Sequence, residues 1–221
     1  MSIAENLTEI SSSLPQGVTL VAVSKTKPAS DIQEAYDWGQ RVFGENKIQE
    51  MASKYEELPK DIEWHMIGHV QTNKIKYMAP FVDMVHGCDR FKVLRELNKE
   101  AQKNHRVISC LLQVQIAKEE TKFGFSKEEV IDFANSEEAQ SLNNLKISGL
   151  MGMATFTDDQ DQIQSEFTAL QEIYKEVVDM GVFPDFSTLS MGMSGDYELA
   201  ISCGSNMVRI GSSLFGARNY K

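Results

Sequence analysis

The sequence predicts an α/β protein whose parallel strands close into a single (β/α)8 barrel. Three observations lead there. Short apolar segments recur eight times along the 221 residues, most of them continuous enough to be buried on both faces. Segments of helical period separate them, which favours a parallel sheet. The first strand–helix turn, "SKTKPAS", has no glycine, whereas doubly wound open sheets often carry a Gly-rich turn there. Eight strands close a barrel, and the length lies within the range of that fold.

Taken in order, the strands are expected at 19–25 ("TLVAVSK"), 41–47, 62–68, 84–89, 108–117, 145–154, 186–194 and 207–216. Ile32, Ala35, Tyr36 and Gly39 recur at helical spacing after the first strand, and Ile48, Met51, Ala52 and Tyr55 do so after the second. Ile163, Phe167, Leu170, Tyr174 and Val177 form one stripe of a longer helix, with Gly181 as its C-cap. No helix is expected after the eighth strand, since the sequence ends within a few residues of Gly216. The segment "IAENLTEISSSL" at 3–14 is therefore expected to be an extra N-terminal helix packed beside the last strand. No Pro/Gly linker, low-complexity tract or repeat divides the chain, so residues 1–221 are read as one domain.

A formal net charge of −10 argues against a sequence-general nucleic-acid binder. The three cysteines, Cys88, Cys110 and Cys203, are far apart and suggest neither a disulfide framework nor a zinc cluster. The polar, acidic start is not a signal peptide, and no run approaches the roughly 18 apolar residues of a membrane span. A cytoplasmic setting is expected.

In such a barrel, functional residues gather at the C-terminal ends of the strands. Those ends carry Lys25, Asn46, the turn "SMGMSGDYELA" with Ser190 and Ser194, and the segment "RIGSSLFG" with Arg209, Gly211 and Ser212. The two small-residue turns follow strands seven and eight, where barrels often bind phosphate, and small residues let backbone N–H groups approach an anion. If Lys25 continues the first strand, it shares a face with Val21 and Val23; if the strand ends at Ser24, it reaches water. Parity leaves Arg209 facing either the barrel axis or the helices. An inward Arg209 needs an acceptor, because arginine does not deprotonate, and the ring nitrogen of a heteroaromatic ligand would serve. A phosphate cup, an inward guanidinium and a lysine able to lose its proton together fit pyridoxal 5′-phosphate, whose aldehyde condenses with a lysine amine.

The stretches "LVAVSKTKPASDIQEAYDWGQRVFGENKIQE", "EWHMIGHVQTNK", "GLMGMATFTDD", "TLSMGMSGDYELAI" and "GSNMVRIGSSLFGARNY" span nearly the whole chain. In this order they resemble the pyridoxal-phosphate homeostasis family, whose members are similar to the barrel domain of alanine racemase but lack its second domain. The resemblance implies a cofactor at the C-terminal mouth, with Lys25 as the Schiff-base lysine and Asn46 near the cofactor. It implies phosphate contacts at Ser190, Gly211 and Ser212, with Ser194 a weaker candidate, and Arg209 against the pyridine nitrogen. The chain departs from many relatives at His69, where they carry proline, and at Thr72, where they carry serine.

Two functions remain open: a non-catalytic carrier that buffers the cofactor and delivers it to apo-enzymes, and an amino-acid racemase or related enzyme of weak activity. The carrier is preferred. An arginine partner disfavours protonation of the pyridine nitrogen, and racemisation needs an acid/base on each face of the α-carbon, for which only Lys25 is evident. With the sequence ending at Lys221, the separate domain from which alanine racemase draws its second group is not expected. A monomer is expected. Other motifs are set aside: His65 and His69 lie on a strand and its loop, where i, i+4 spacing does not make a metal face. "GMSGD" puts Asp196 where a nucleophile elbow needs glycine. The two Met-Gly-Met runs read as space-filling at strand ends.

Overall fold

The computed structural model describes residues 2–118 and 123–216. Its strands are β1 (Thr19–Val23), β2 (Val42–Glu45), β3 (Glu63–Met66), β4 (Met84–Cys88), β5 (Ile108–Gln113), β6 (Leu145–Met151), β7 (Thr188–Met193) and β8 (Met207–Ile210). They pair in parallel and in chain order, and β8 returns to β1 to close the barrel, with Val21 opposite Arg209. The helices are α1 (Ile3–Ser13), α2 (Ala29–Trp38), α3 (Ile48–Glu57), α4 (Phe91–Lys103), α5 (Lys127–Ala134), α6 (Glu137–Ser141), α7 (Gln160–Met180), α8 (Tyr197–Ser202) and α9 (Ser212–Phe215). A 3₁₀ helix, Thr72–Tyr77, joins β3 to β4.

All eight expected strands are present, most of them shorter than the apolar runs. The chain leaves β1 at Val23, two residues before Lys25, because Thr26 turns it at φ +64°. The expectation that no helix follows the eighth strand is corrected: Gly211 ends β8 and α9 begins at Ser212. That helix is only four residues long, and α1 completes the outer ring. Asn6 donates to the Leu214 carbonyl (2.8 Å), the Trp38 indole N–H donates to Thr8 Oγ1 (3.0 Å), and Leu7 and Ile10 are buried. The end of "GSNMVRIGSSLFGARNY", residues 217–220, lies outside the described residues. Gly181 caps α7 in the left-handed region (φ +65°), as its position predicts.

The core between sheet and helices takes alternate residues of each strand: Leu20 and Ala22 of β1, Trp64 and Met66 of β3, Leu189 and Met191 of β7, Val208 and Ile210 of β8. The pleat therefore turns Val21, His65, Ser190 and Arg209 toward the barrel axis. Burying a guanidinium and imidazoles there is tolerable only if they are hydrogen-bonded, and they are: Arg209 and His86 share the Ser190 hydroxyl, and His86 meets His65.

Candidate functional site

Parity could not decide which way Arg209 points; the barrel decides it. Its side chain is buried, with one guanidinium nitrogen donating to Ser190 Oγ (2.6 Å) and another to the Gly152 carbonyl (3.0 Å). His86 Nδ1 meets the same hydroxyl at 3.2 Å, and His86 Nε2 meets His65 Nδ1 at 3.0 Å. The guanidinium only donates, so Ser190 Oγ accepts from Arg209. The hydroxyl and the two imidazoles continue the chain, in a proton order set by the histidine tautomers. Both imidazoles are neutral: burial pulls His65 down to about 3, and burial, then His65 and Arg209, pulls His86 well below the usual histidine range. Burial also pulls Arg209 down to about 10, opposed by Asp196, which leaves it charged at neutral pH.

The two small-residue turns meet at the C-terminal rim. The Gly211 N–H donates to Ser194 Oγ (3.2 Å), and the Met193 N–H donates to Asp196 (2.6 Å), which shapes the β7 turn. Ser194 and Gly211 are half-buried and Ser212 exposed, whereas Ser190 is fully buried with its hydroxyl already engaged. The structure thus brings Ser194 to Gly211 and Ser190 to Arg209, and sets the two serines at different depths.

Lys25 and Asn46 follow neighbouring strands, paired with Val23 opposite Gly44, and both side chains are half-buried. Gly68 packs so closely on Asn46 that a Cβ there would lie 2.5 Å from the Asn46 carbonyl oxygen, and one on Gly87 would lie 2.3 Å from that of Gly68. The ends of β2, β3 and β4 therefore abut through bare backbone. In the β3 loop, His69 Nδ1 pairs with Asp89 (2.8 Å) and its ring lies against Phe123. His65, by contrast, is packed inside the barrel.

Sequence reasoning missed that the two interior histidines join Arg209 through the Ser190 hydroxyl, and it missed Glu45 and Lys54. Glu45 is fully buried and meets Lys54 Nζ at 2.7 Å. The available signal was polarity out of place: a glutamate closing the apolar strand "RVFGE" and a histidine inside "MVHGC". Among the described residues, no group of three or more His, Cys, Asp or Glu side chains could hold a metal ion. No helix among them is long and apolar enough to cross a membrane.

A parallel barrel with a buried, inward guanidinium beneath a rim of small residues, and a lysine and an asparagine at the ends of β1 and β2, suits a planar phosphorylated heteroaromatic aldehyde. The class is that of the alanine racemase barrels: a family model described as alanine racemase, N-terminal domain, matches residues 1–219. A curated relative from Vibrio alginolyticus, the pyridoxal phosphate homeostasis protein, is 40% identical, with 99% of each chain covered. Within that class, this chain belongs to the pyridoxal phosphate homeostasis protein family. PipY of Synechococcus elongatus, solved without pyridoxal phosphate, matches with a TM-score of 0.92 at 34% identity, covering 97% of this chain and 100% of PipY. The form of PipY with pyridoxal phosphate bound matches at 0.89 with the same identity and coverage. Alanine racemase from Bartonella henselae shares the fold alone, with a TM-score of 0.72 at 16% identity, covering 97% of this chain and 58% of the racemase.

Proposed function

We propose that this chain binds pyridoxal 5′-phosphate through Lys25 and holds it reversibly, as a buffer and donor of the cofactor in the cytoplasm. The inward burial of Arg209 carries the reading. It puts a permanent donor on the barrel axis, and the PipY relative, solved with PLP bound, supports pyridoxal phosphate as the ligand. When bound, the cofactor supplies an aldehyde for a lysine amine and a ring nitrogen for a hydrogen-bond donor. Arg209 stays protonated at neutral pH and only donates, so it leaves that nitrogen without a proton. Ser190 holds the guanidinium in place. Ser194, Gly211 and Ser212 are assigned the phosphate, and Asn46 a place beside the ring. The three thiols, all unpaired and buried, are consistent with a reducing compartment.

The names of the relatives and the donor-only partner of the ring nitrogen favour holding over chemistry at an amino-acid α-carbon. Titration with pyridoxal phosphate should produce visible absorbance in the wild type. Lys25→Ala should lose that absorbance with an unchanged far-ultraviolet circular dichroism spectrum. Loaded protein should restore activity to an apo-enzyme, tested with and without a trap for free cofactor to separate handover from release. Amino-acid turnover at enzyme-like rates that depends on Lys25 would overturn the carrier reading in favour of a racemase.

A further inference from the structure

The residues on either side of Lys25 are held by one buried ion cluster. Ser24 is fully buried: its N–H donates to the Gly44 carbonyl (3.0 Å), its hydroxyl to Glu45 Oε1 (2.6 Å), and its carbonyl accepts from Lys54 Nζ (2.9 Å). Lys54 also donates to Glu45 Oε1 and to Glu50 Oε1, both at 2.7 Å, so its three protons are all used. Glu50 Oε1 in turn accepts the N–H of Thr26 (2.6 Å). Thr26 sits at φ +64°, a region that β-branched residues avoid.

Buried ion clusters are costly, and apolar replacements of similar volume are often at least as stable. Here the cost is compounded, because Glu45 Oε2 is buried without a partner. Stability alone does not account for charges at this point. The cluster lies at the turn that carries Lys25, and Glu45 directly precedes Asn46. Strained backbone of this kind persists only where its surroundings over-determine it.

We propose that Lys54, clamped by Glu45 and Glu50, is a positioning residue for Lys25: it fixes the Ser24 carbonyl directly and the Thr26 amide through Glu50, and so sets the approach of the Lys25 amine to the aldehyde. The proposal rests on Lys25 being the lysine that captures the cofactor. Glu50→Gln, Lys54→Met and Lys54→Arg test it, with melting temperature as the check on folding. Two quantities are compared: the rate at which visible absorbance rises on adding pyridoxal phosphate, and the affinity for pyridoxine 5′-phosphate, which has no aldehyde.

Positioning predicts that Glu50→Gln and Lys54→Met slow the absorbance rise about tenfold while affinity for the alcohol is unchanged, because only the covalent step depends on aim. Lys54→Arg, which keeps the charge, should recover part of the rate. Equal losses in both quantities, or no loss in either, overturn the proposal. If Lys54→Met does not fold, Glu50→Gln decides, since Glu50 lies at the exposed side of the cluster. Lys25→Ala is run alongside: absorbance that survives it refutes the assignment of Lys25 itself, a failure distinct from that of the cluster.

Discussion

Arg209 organises the barrel interior because it cannot give up its charge. Each of its contacts answers the cost of placing a guanidinium in an apolar tube. On the proposed role of Arg209, replacing it with alanine removes a charged hydrogen bond to the cofactor, worth about 1.5–3 kcal/mol, and should weaken pyridoxal phosphate binding by roughly ten- to a hundredfold. At saturating cofactor, Lys25 should still be labelled. Unchanged affinity, read by absorbance titration, would remove Arg209 from the site. His65 gives a second prediction at this scale. With its folded-state value pulled to about 3 from 6.5, the unfolded chain takes up the proton first as pH falls. The stability in question is present above pH 6.5 and is lost toward pH 3; between pH 7 and pH 5 the loss is about 2 kcal/mol from His65. His86 works in the same direction. Glu45, raised mainly by burial, works in the opposite one, gaining a proton in the folded state as pH falls. Comparing His65→Gln with the wild type by denaturant unfolding isolates the histidine: the variant should show a flatter pH dependence. An identical slope would mean that the imidazole is not held neutral.

Elements place these residues through pleat and turn. The order of strands and helices was legible because apolar runs and helical stripes are local properties of a chain. Strand ends were not: "LVAVSK" continues apolar to Val23, and only the Thr26 turn, set by contacts with α3, stops it. For the same reason Lys25 and the rim glycines were readable as candidates, while the facing of Arg209 and the Glu45–Lys54 pair depended on register between strands. One register feature is testable. Opposite β5 the pairing shifts, with Cys110 facing Ile147 and Leu111 facing Gly149, and a Cβ on Gly149 would fall 1.7 Å from the Thr188 carbonyl oxygen. Gly149→Ala should therefore force β6 from β7 and cost about 3 kcal/mol or more in denaturant unfolding. A loss below about 0.5 kcal/mol, the range of ordinary surface substitutions, would contradict that register. At the other end of the molecule, the Ser2 and Glu5 capping box starts α1 (Glu5 N–H to Ser2 Oγ, 3.2 Å; Ser2 N–H to Glu5, 2.7 Å). Ser2→Ala should lower stability by about 1 kcal/mol if α1 is an integral part of the ring, and by nothing measurable if it frays independently.

For the whole molecule, the barrel separates two jobs. Its interior fixes a charge on the axis, and its rim presents small residues and a lysine, which the proposed function assigns to a phosphorylated aldehyde that arrives and leaves. The proposed function stands on one bond between that aldehyde and one amine. Borohydride reduction of the protein loaded with pyridoxal phosphate, followed by peptide mass mapping, tests it most directly. The pyridoxyl group is expected on Lys25; a label carried mainly by Lys27 or Lys47 would refute that bond.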